Sequence, residues 1–346
     1  MDGNRVSAED LERSLRWAAE QAPSEPAGLF GPESASWRID REAILFLAAG
    51  RALLMQLAHP WVAQGVLDHS RSLDDPFGRF HRTFSAMFSF VFGSLGQALG
   101  AARRLHRRHE AIRGTLSEAA GPFASGSPYC ANHLPALRWV LITLTDGALA
   151  ARDAVLPPLA PGLRDRYVAE RGRMGAMFGI APGTLPRDWD SFVAERDRWL
   201  ACEELTVTGP ARQIAERLVI HPPLPLGRAA FRNVTALLLP ERLRLDYGLP
   251  FGSAERRNAE RTLAWLRRVY PILPSALRLV GPYREAIGRL EGRARPTPLT
   301  RALNRFWIGA PALPAADQAL RAGSEEMRRG SSSPALTNSN DTEFRQ

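Results

Sequence analysis

The residues best equipped for chemistry lie in one arginine-rich run, Arg103-Arg104-Leu105-His106-Arg107-Arg108-His109-Glu110. Ala98, Ala102, Leu105, His109, Ile112 and Leu116 follow one another at steps of three and four, the signature of an apolar helix stripe. His109 stands on that stripe, so its imidazole turns inward while the arginines fan around the rest of the helix. His106 and Arg113 lie one turn away on either side. Imidazole is the commonest protein metal ligand and a general acid or base near neutral pH, yet an inward histidine can equally be a core residue with one satisfied hydrogen bond. Both readings stand on spacing alone. A zinc protease motif is excluded, because Arg113 occupies the second histidine position of H-E-x-x-H. A carboxylate-bridged di-iron site is disfavoured by the absence of any Glu-x-x-His pair.

Two other segments carry polar groups into apolar surroundings. In Asp75-Pro-Phe-Gly-Arg-Phe-His-Arg-Thr-Phe84, the residues Phe77, Phe80, Phe84, Met87, Phe88 and Val91 form an aromatic stripe, with Arg79, Arg82 and Thr83 along its flank. Such a stripe is ordinary core, or it is the wall that a flat apolar cofactor with acidic side chains requires. In the apolar stretch from Ala43 to His59, Arg51 is a buried charge in need of a partner, and Pro60 drives His59 to a helix end where its ring can face a cavity.

The elements that must hold these groups are helices. Apolar spacing of three and four dominates, strict alternation is scarce, and proline and glycine punctuate the chain, so the fold class is all-α: a single large helical domain. The spacing predicts helices over about 40–59, 77–92, 97–114, 135–155, 161–178, 189–201, 210–219, 228–239, 254–269, 277–291 and 299–308. Ser7 is read as an N-cap, Gly114 as a stop after a basic last turn, and Pro161 and Pro210 as first-turn residues. The organisation is an N-terminal helix and linker over 1–30, a helical domain over 31–310 and a polar, disordered tail over 323–346.

The chain has 346 residues, 45% of them hydrophobic and 23% charged, which implies a true core. Its net charge is +9, and every one of its 45 basic residues is arginine. Without lysine, Schiff-base, pyridoxal, phosphate-loop and kinase chemistries are excluded. Arginine serves instead to grip carboxylate or phosphate. Cys130 and Cys202 are too few for a disulfide framework. No secretory signal or uninterrupted apolar run is read, so the expected location is cytoplasmic with no transmembrane segment, although peripheral membrane contact stays open.

Taken together, Gly31-Pro-Glu-Ser with Trp37 and Arg38, the run Gly50 to Pro60, Asp75 to Arg79 with Arg82-Thr83, and His106 to Gly114 resemble the latex clearing protein and MpaB-type oxygenase family. The likeness extends through Tyr129, Arg138-Trp139-Val140, Tyr167, Glu170, Phe178-Gly-Ile and Leu185-Pro186, covering roughly Gly31 to Val269. The resemblance implies a globin-like helical core with extra helices, binding heme b and using dioxygen to cleave carbon–carbon double bonds in isoprenoid chains. Carried onto this sequence, it makes His109 the axial iron ligand, with His106 beside it and Arg113 or Arg79 neutralising the heme propionates. Arg79, Arg82 and Thr83 match the family's basic motif, and His59 is the candidate for the distal pocket. The chain departs from the family pattern at Arg82, where rubber-cleaving members carry lysine, and at Leu141, where many relatives carry histidine. Any role of that histidine is then absent here or passes to His59 or His133. The expected function is a heme-dependent oxygenase taking a small apolar substrate and dioxygen. The alternatives are a heme-binding or heme-sensing protein without turnover, and a basic helical module for anionic lipid or nucleic acid. Nucleic acid is not expected as a partner, because the arginines form no long single patch other than 103–108.

Overall fold

The structure, a computed structural model, describes residues 4–69, 75–222 and 227–316. The expected tail over 323–346 lies outside the described residues. The fold is all-α, with one two-stranded ribbon among the described residues. The first half of the chain forms α1 (Ala8–Glu20), α2 (Ala35–Asp40), a 3₁₀ stretch (Ala43–Ala48), α3 (Ala49–Leu57), α4 (Pro60–His69), α5 (Pro76–Phe92) and α6 (Leu95–Glu110). Strands β1 (Arg113–Thr115) and β2 (Pro128–Cys130) follow, then α7 (Leu134–Val155), α8 (Pro161–Ala176) and α9 (Trp189–Ala201). The remainder is α10 (Gly209–Ala215), which runs into a π turn, then α11 (Arg228–Leu238), α12 (Glu241–Asp246), α13 (Ser253–Val269), α14 (Ser275–Arg278), α15 (Gly281–Leu290) and α16 (Pro298–Ile308).

Local chemistry fixes many of the ends. Ser7 closes a reciprocal capping box with Asp10, Ser94 does the same with Gln97, and prolines open α8, α10 and α16. Three expected elements are subdivided. The stretch 40–59 becomes the end of α2, a 3₁₀ turn and α3, and 277–291 splits into α14 and α15 where Gly281-Pro282 starts a new helix. The stretch 97–114 stops at Glu110, because the chain turns at Ala111 and pairs Arg113, Gly114 and Thr115 with Cys130, Tyr129 and Pro128. Gly114 therefore belongs to a ribbon and not to a helix cap. Helix α4 was not expected; it begins at Pro60, which is tolerated there because a first-turn N–H has no helical acceptor.

The largest core cluster joins α1, α5, α6, the end of α8, α15 and α16, with Trp37, Phe90, Phe92 and Leu15 fully enclosed. A second joins α3, α4, α7, α9, α10 and α12 around Trp139 and Trp199. Helix α7 runs between them. At 22 residues and mean hydropathy 1.3 it is long and apolar enough to cross a membrane, but most of it is buried inside the bundle. Indole and phenol groups tie the layers together: Trp37 donates to the Val91 carbonyl (2.7 Å), Trp139 to Met55 (2.8 Å) and Tyr247 to Leu54 (2.8 Å).

Arg51 has the partner its burial demands. Its guanidinium pairs with Asp146 of α7 and donates through Nε to the Leu238 carbonyl at 2.7 Å, while Arg196 reaches the other Asp146 oxygen at 3.2 Å. Several residues that carry the family likeness are scaffold as well. Glu170 accepts from the backbone N–H groups of Ala35 and Ser36 and so caps the start of α2. Tyr167 donates to Asp40 (2.7 Å), and Tyr129 to Asp68 (2.7 Å).

Candidate cofactor site

His109 sits in the last turn of α6. The β1–β2 ribbon folds back over that helix end, and Ala131 N–H binds the Ile112 carbonyl at 3.1 Å, which sets Asn132 beneath the final turn. Asn132 is only 2% exposed. Its Nδ2 donates to the His106 carbonyl at 3.3 Å, and its own carbonyl accepts from Val6 N–H at 2.9 Å. The Asn132 side chain also interacts with the His109 ring, an effect that favours protonation and is outweighed by desolvation. Desolvation, followed by the nearby His106, lowers the His109 pKa from 6.5 to about 4. His109 is thus neutral at pH 7, and a neutral imidazole carries a lone pair on one of its ring nitrogens.

In front of the two histidines lies a small cavity lined by Leu105, His106, His109, Asn132, Leu137 and Met177, with Phe178 beside them. Its volume is about 10 Å³, room for one water. His106 is buried, and its Nε2 faces Glu110 at 3.6 Å without a hydrogen bond, an orphaned polar atom on the wall of this cavity. Burial lowers its pKa too, ahead of the opposing pull of Glu110.

The other candidate residues occupy different places. α5 and α6 form an antiparallel hairpin turning at Gly93-Ser94, so Arg79, Arg82 and Thr83 lie toward the same end of the hairpin as His109. They do not line its cavity. Arg82 pairs with Asp75 (3.2 Å) and is solvent-facing, as is Thr83. Arg79 is partly buried, and desolvation with Arg82 beside it lowers its pKa to about 10. The phenylalanine stripe is occupied by packing: Phe46 meets Phe84 at 4.4 Å and Trp307 at 4.2 Å, and Phe80 meets Phe84 at 4.4 Å. From Phe80 onward the aromatic face of α5 is therefore packed, while Phe77 at its start is exposed. Arg113 is exposed and donates through Nε to the Glu110 carbonyl at 3.0 Å, closing the end of α6.

His59 lies at the break between α3 and α4, where the chain bends by 104°. It is 1% exposed, and its Nδ1 accepts from Trp61 N–H at 3.2 Å. Around it stand Trp61, Phe123, His133 and Trp199, with the Trp61 and His133 rings 4.1 Å apart. Burial, then His133, takes the His59 pKa to about 3, and burial takes that of His133 to about 4. His133 Nδ1 and the indole nitrogens of Trp61 and Trp199 are buried without partners, so this is a second polar cluster, one residue along the chain from Asn132. Leu141 faces the α8 side of the core, against Gly175. The sequence reading missed Asn132. Its signal was the turn-rich stretch from Gly114 to Tyr129, which has to return the chain to the end of α6.

Fold and site define a helical bundle with a half-buried, neutral imidazole at a helix end, beside a buried amide side chain. Among the described residues no group of three or more His, Cys, Asp or Glu side chains could cage a bare metal ion. The chain belongs to the MpaB and rubber oxygenase catalytic-domain family: residues 37–269, more than half of its length, match the family described as "ER-bound oxygenase mpaB/B'/Rubber oxygenase, catalytic domain". No curated protein and no solved structure matches it.

Proposed function

We propose that this oxygenase-family chain is a heme b-dependent oxygenase acting on a small apolar substrate of isoprenoid type. The observation that carries the proposal is the state of His109: half-buried on the wall of the cavity, neutral at pH 7 and flanked by the Asn132 side chain. A neutral imidazole suits an axial ligand, and a polar neighbour that accepts from its second nitrogen fixes the tautomer and raises the basicity of the first. One imidazole cannot hold a bare ion, but it suffices where a macrocycle supplies the remaining donors. Bound heme would supply the redox chemistry with dioxygen.

The protein's part is ligation, charge and access. His109 binds through the lone pair of its neutral ring, with Asn132 beside it. Arg79, the partly desolvated cation on the neighbouring helix, is the candidate partner for a propionate, with Arg113 at the end of α6 the other. The volume sets a condition: about 10 Å³ does not accept a macrocycle, so binding requires the Leu137, Met177 and Phe178 side chains to withdraw from His109. His59 and His133 remain neutral at physiological pH and stand as the pocket imidazoles of this reading.

The test is to express the full chain with heme supplied and record its spectrum. A Soret band that moves on reduction and on addition of carbon monoxide is expected; its absence overturns the proposal. The absence of a substrate-sized space beside His109 favours a second reading, a heme carrier or sensor without turnover. Oxygen consumption with apolar alkenes separates the two.

A further inference from the structure

A wide cleft lies at the other end of α6. It measures about 820 Å³, within the range of small-molecule sites, and lies against Gly96 and Gln97. Twelve residues of helix separate Gln97 from His109, about 18 Å at the α-helical rise. Nothing in the oxygenase reading uses it.

Its walls are strongly cationic. Arg16, Arg103, Arg284, Arg289, Arg293 and Arg295 line it, against two carboxylates, Glu25 and Glu285. One of those carboxylates is already engaged, since Glu285 accepts from Asn304 and from the backbone N–H of Leu313. Several arginines are held in place by other contacts: Arg103 by a bidentate pair with Glu12, Arg289 by the Pro26 and Phe92 carbonyls, Arg284 by Ser275. Arg103 keeps Nη1 buried and without a partner. Arg16 and Arg295 form no ion pair among the described residues. The first turns of α6 and α16 also border the cleft through Gly96 and Thr297, adding the positive ends of two helix dipoles. Between these groups the lining is apolar, supplied by Leu15, Leu99 and Leu313 with Ala19 and Ala312.

Fixed guanidinium groups at the rim and aliphatic walls between them suit a ligand with both properties. We propose that this cleft binds an amphiphilic anion, a carboxylate or phosphate head carried on an apolar chain. The arginine forks take the head group and the leucine wall takes the chain. The site is independent of His109 and of any cofactor there.

Calorimetric titration of the full chain with laurate, dodecyl phosphate, dodecanol and inorganic phosphate, each kept monomeric in solution, tests this. Saturable one-site binding of laurate or dodecyl phosphate is expected, and the tighter of the two identifies the head group. Dodecanol should bind at least about tenfold more weakly, because a neutral head forfeits the charge-assisted bonds. The double substitution Arg16→Glu with Arg295→Glu, at side chains that form no ion pair among the described residues, should weaken the anion at least tenfold and leave heme content unchanged. Leu99→Trp, which fills the wall, should weaken laurate but not inorganic phosphate. No saturable binding of either amphiphile, equal affinity for dodecanol and laurate, or unchanged affinity in the charge-reversed variant overturns the proposal.

Discussion

Asn132 stands beside His109. Its amide nitrogen donates to the His106 carbonyl at 3.3 Å and its side chain lines the same small cavity as the His109 ring, so one buried side chain both closes the end of α6 and flanks the imidazole. The two residues lie 23 positions apart in the chain and meet only because the β1–β2 ribbon turns back.

If that side chain orients an axial ligand, its loss should weaken the cofactor without removing the ligand. Asn132→Leu is expected to lower heme affinity by about 10- to 100-fold, the usual cost of deleting such a support. Heme titration followed at the Soret band measures it. Unchanged affinity would mean that Asn132 serves the backbone alone.

Substituting the ligand itself should be more severe. His109→Ala is expected to abolish heme retention after gel filtration, whereas His106→Ala, which removes a ring without a hydrogen-bond partner, should keep most of it. Circular dichroism of both variants checks that each is folded. Equal heme content in wild type and His109→Ala would refute the assignment.

Acid should destabilise the fold through imidazoles that are wholly or partly desolvated. His59, His109 and His133 have pKa values of about 3, 4 and 4 in the folded chain, against 6.5 as the ordinary value. Above about 6.5 both states are neutral and pH has no leverage at these sites. As pH falls below 6.5 the unfolded chain takes up protons that the folded chain refuses, so stability declines until the folded values are reached. Urea midpoints should therefore drop steadily from pH 7 to pH 5, and a flat profile would contradict the desolvation of these rings.

The Arg51–Asp146 pair predicts a test of the core. Both side chains are nearly enclosed, at 7% and 5% exposure, so Arg51→Met leaves the buried carboxylate with Arg196 as its one remaining ion-pair partner among the described residues. A loss of about 3–5 kcal/mol is expected for breaking such a pair. Adding Asp146→Leu should recover much of it, and urea denaturation of the single and double variants reads the difference.

The sequence itself carried the architecture and the principal candidate. Three-and-four periodicity needs no partner to be recognised, so the helices, the caps at Ser7, Pro161 and Pro210, and the inward orientation of His109 were legible from local spacing. The need for a partner at Arg51 was legible too, because a charge in an apolar stretch must be compensated; that the partner is Asp146 was not. Tertiary packing alone decided that the phenylalanine face of α5 is filled by Phe46 and Trp307, that Arg113 closes a helix end, that Arg79, Arg82 and Thr83 stand apart from the His109 cavity, and that Asn132 completes the site. Periodicity states which face of a helix is buried but not what buries it, and these contacts join residues tens or hundreds of positions apart. Their partners are chosen by how the bundle closes.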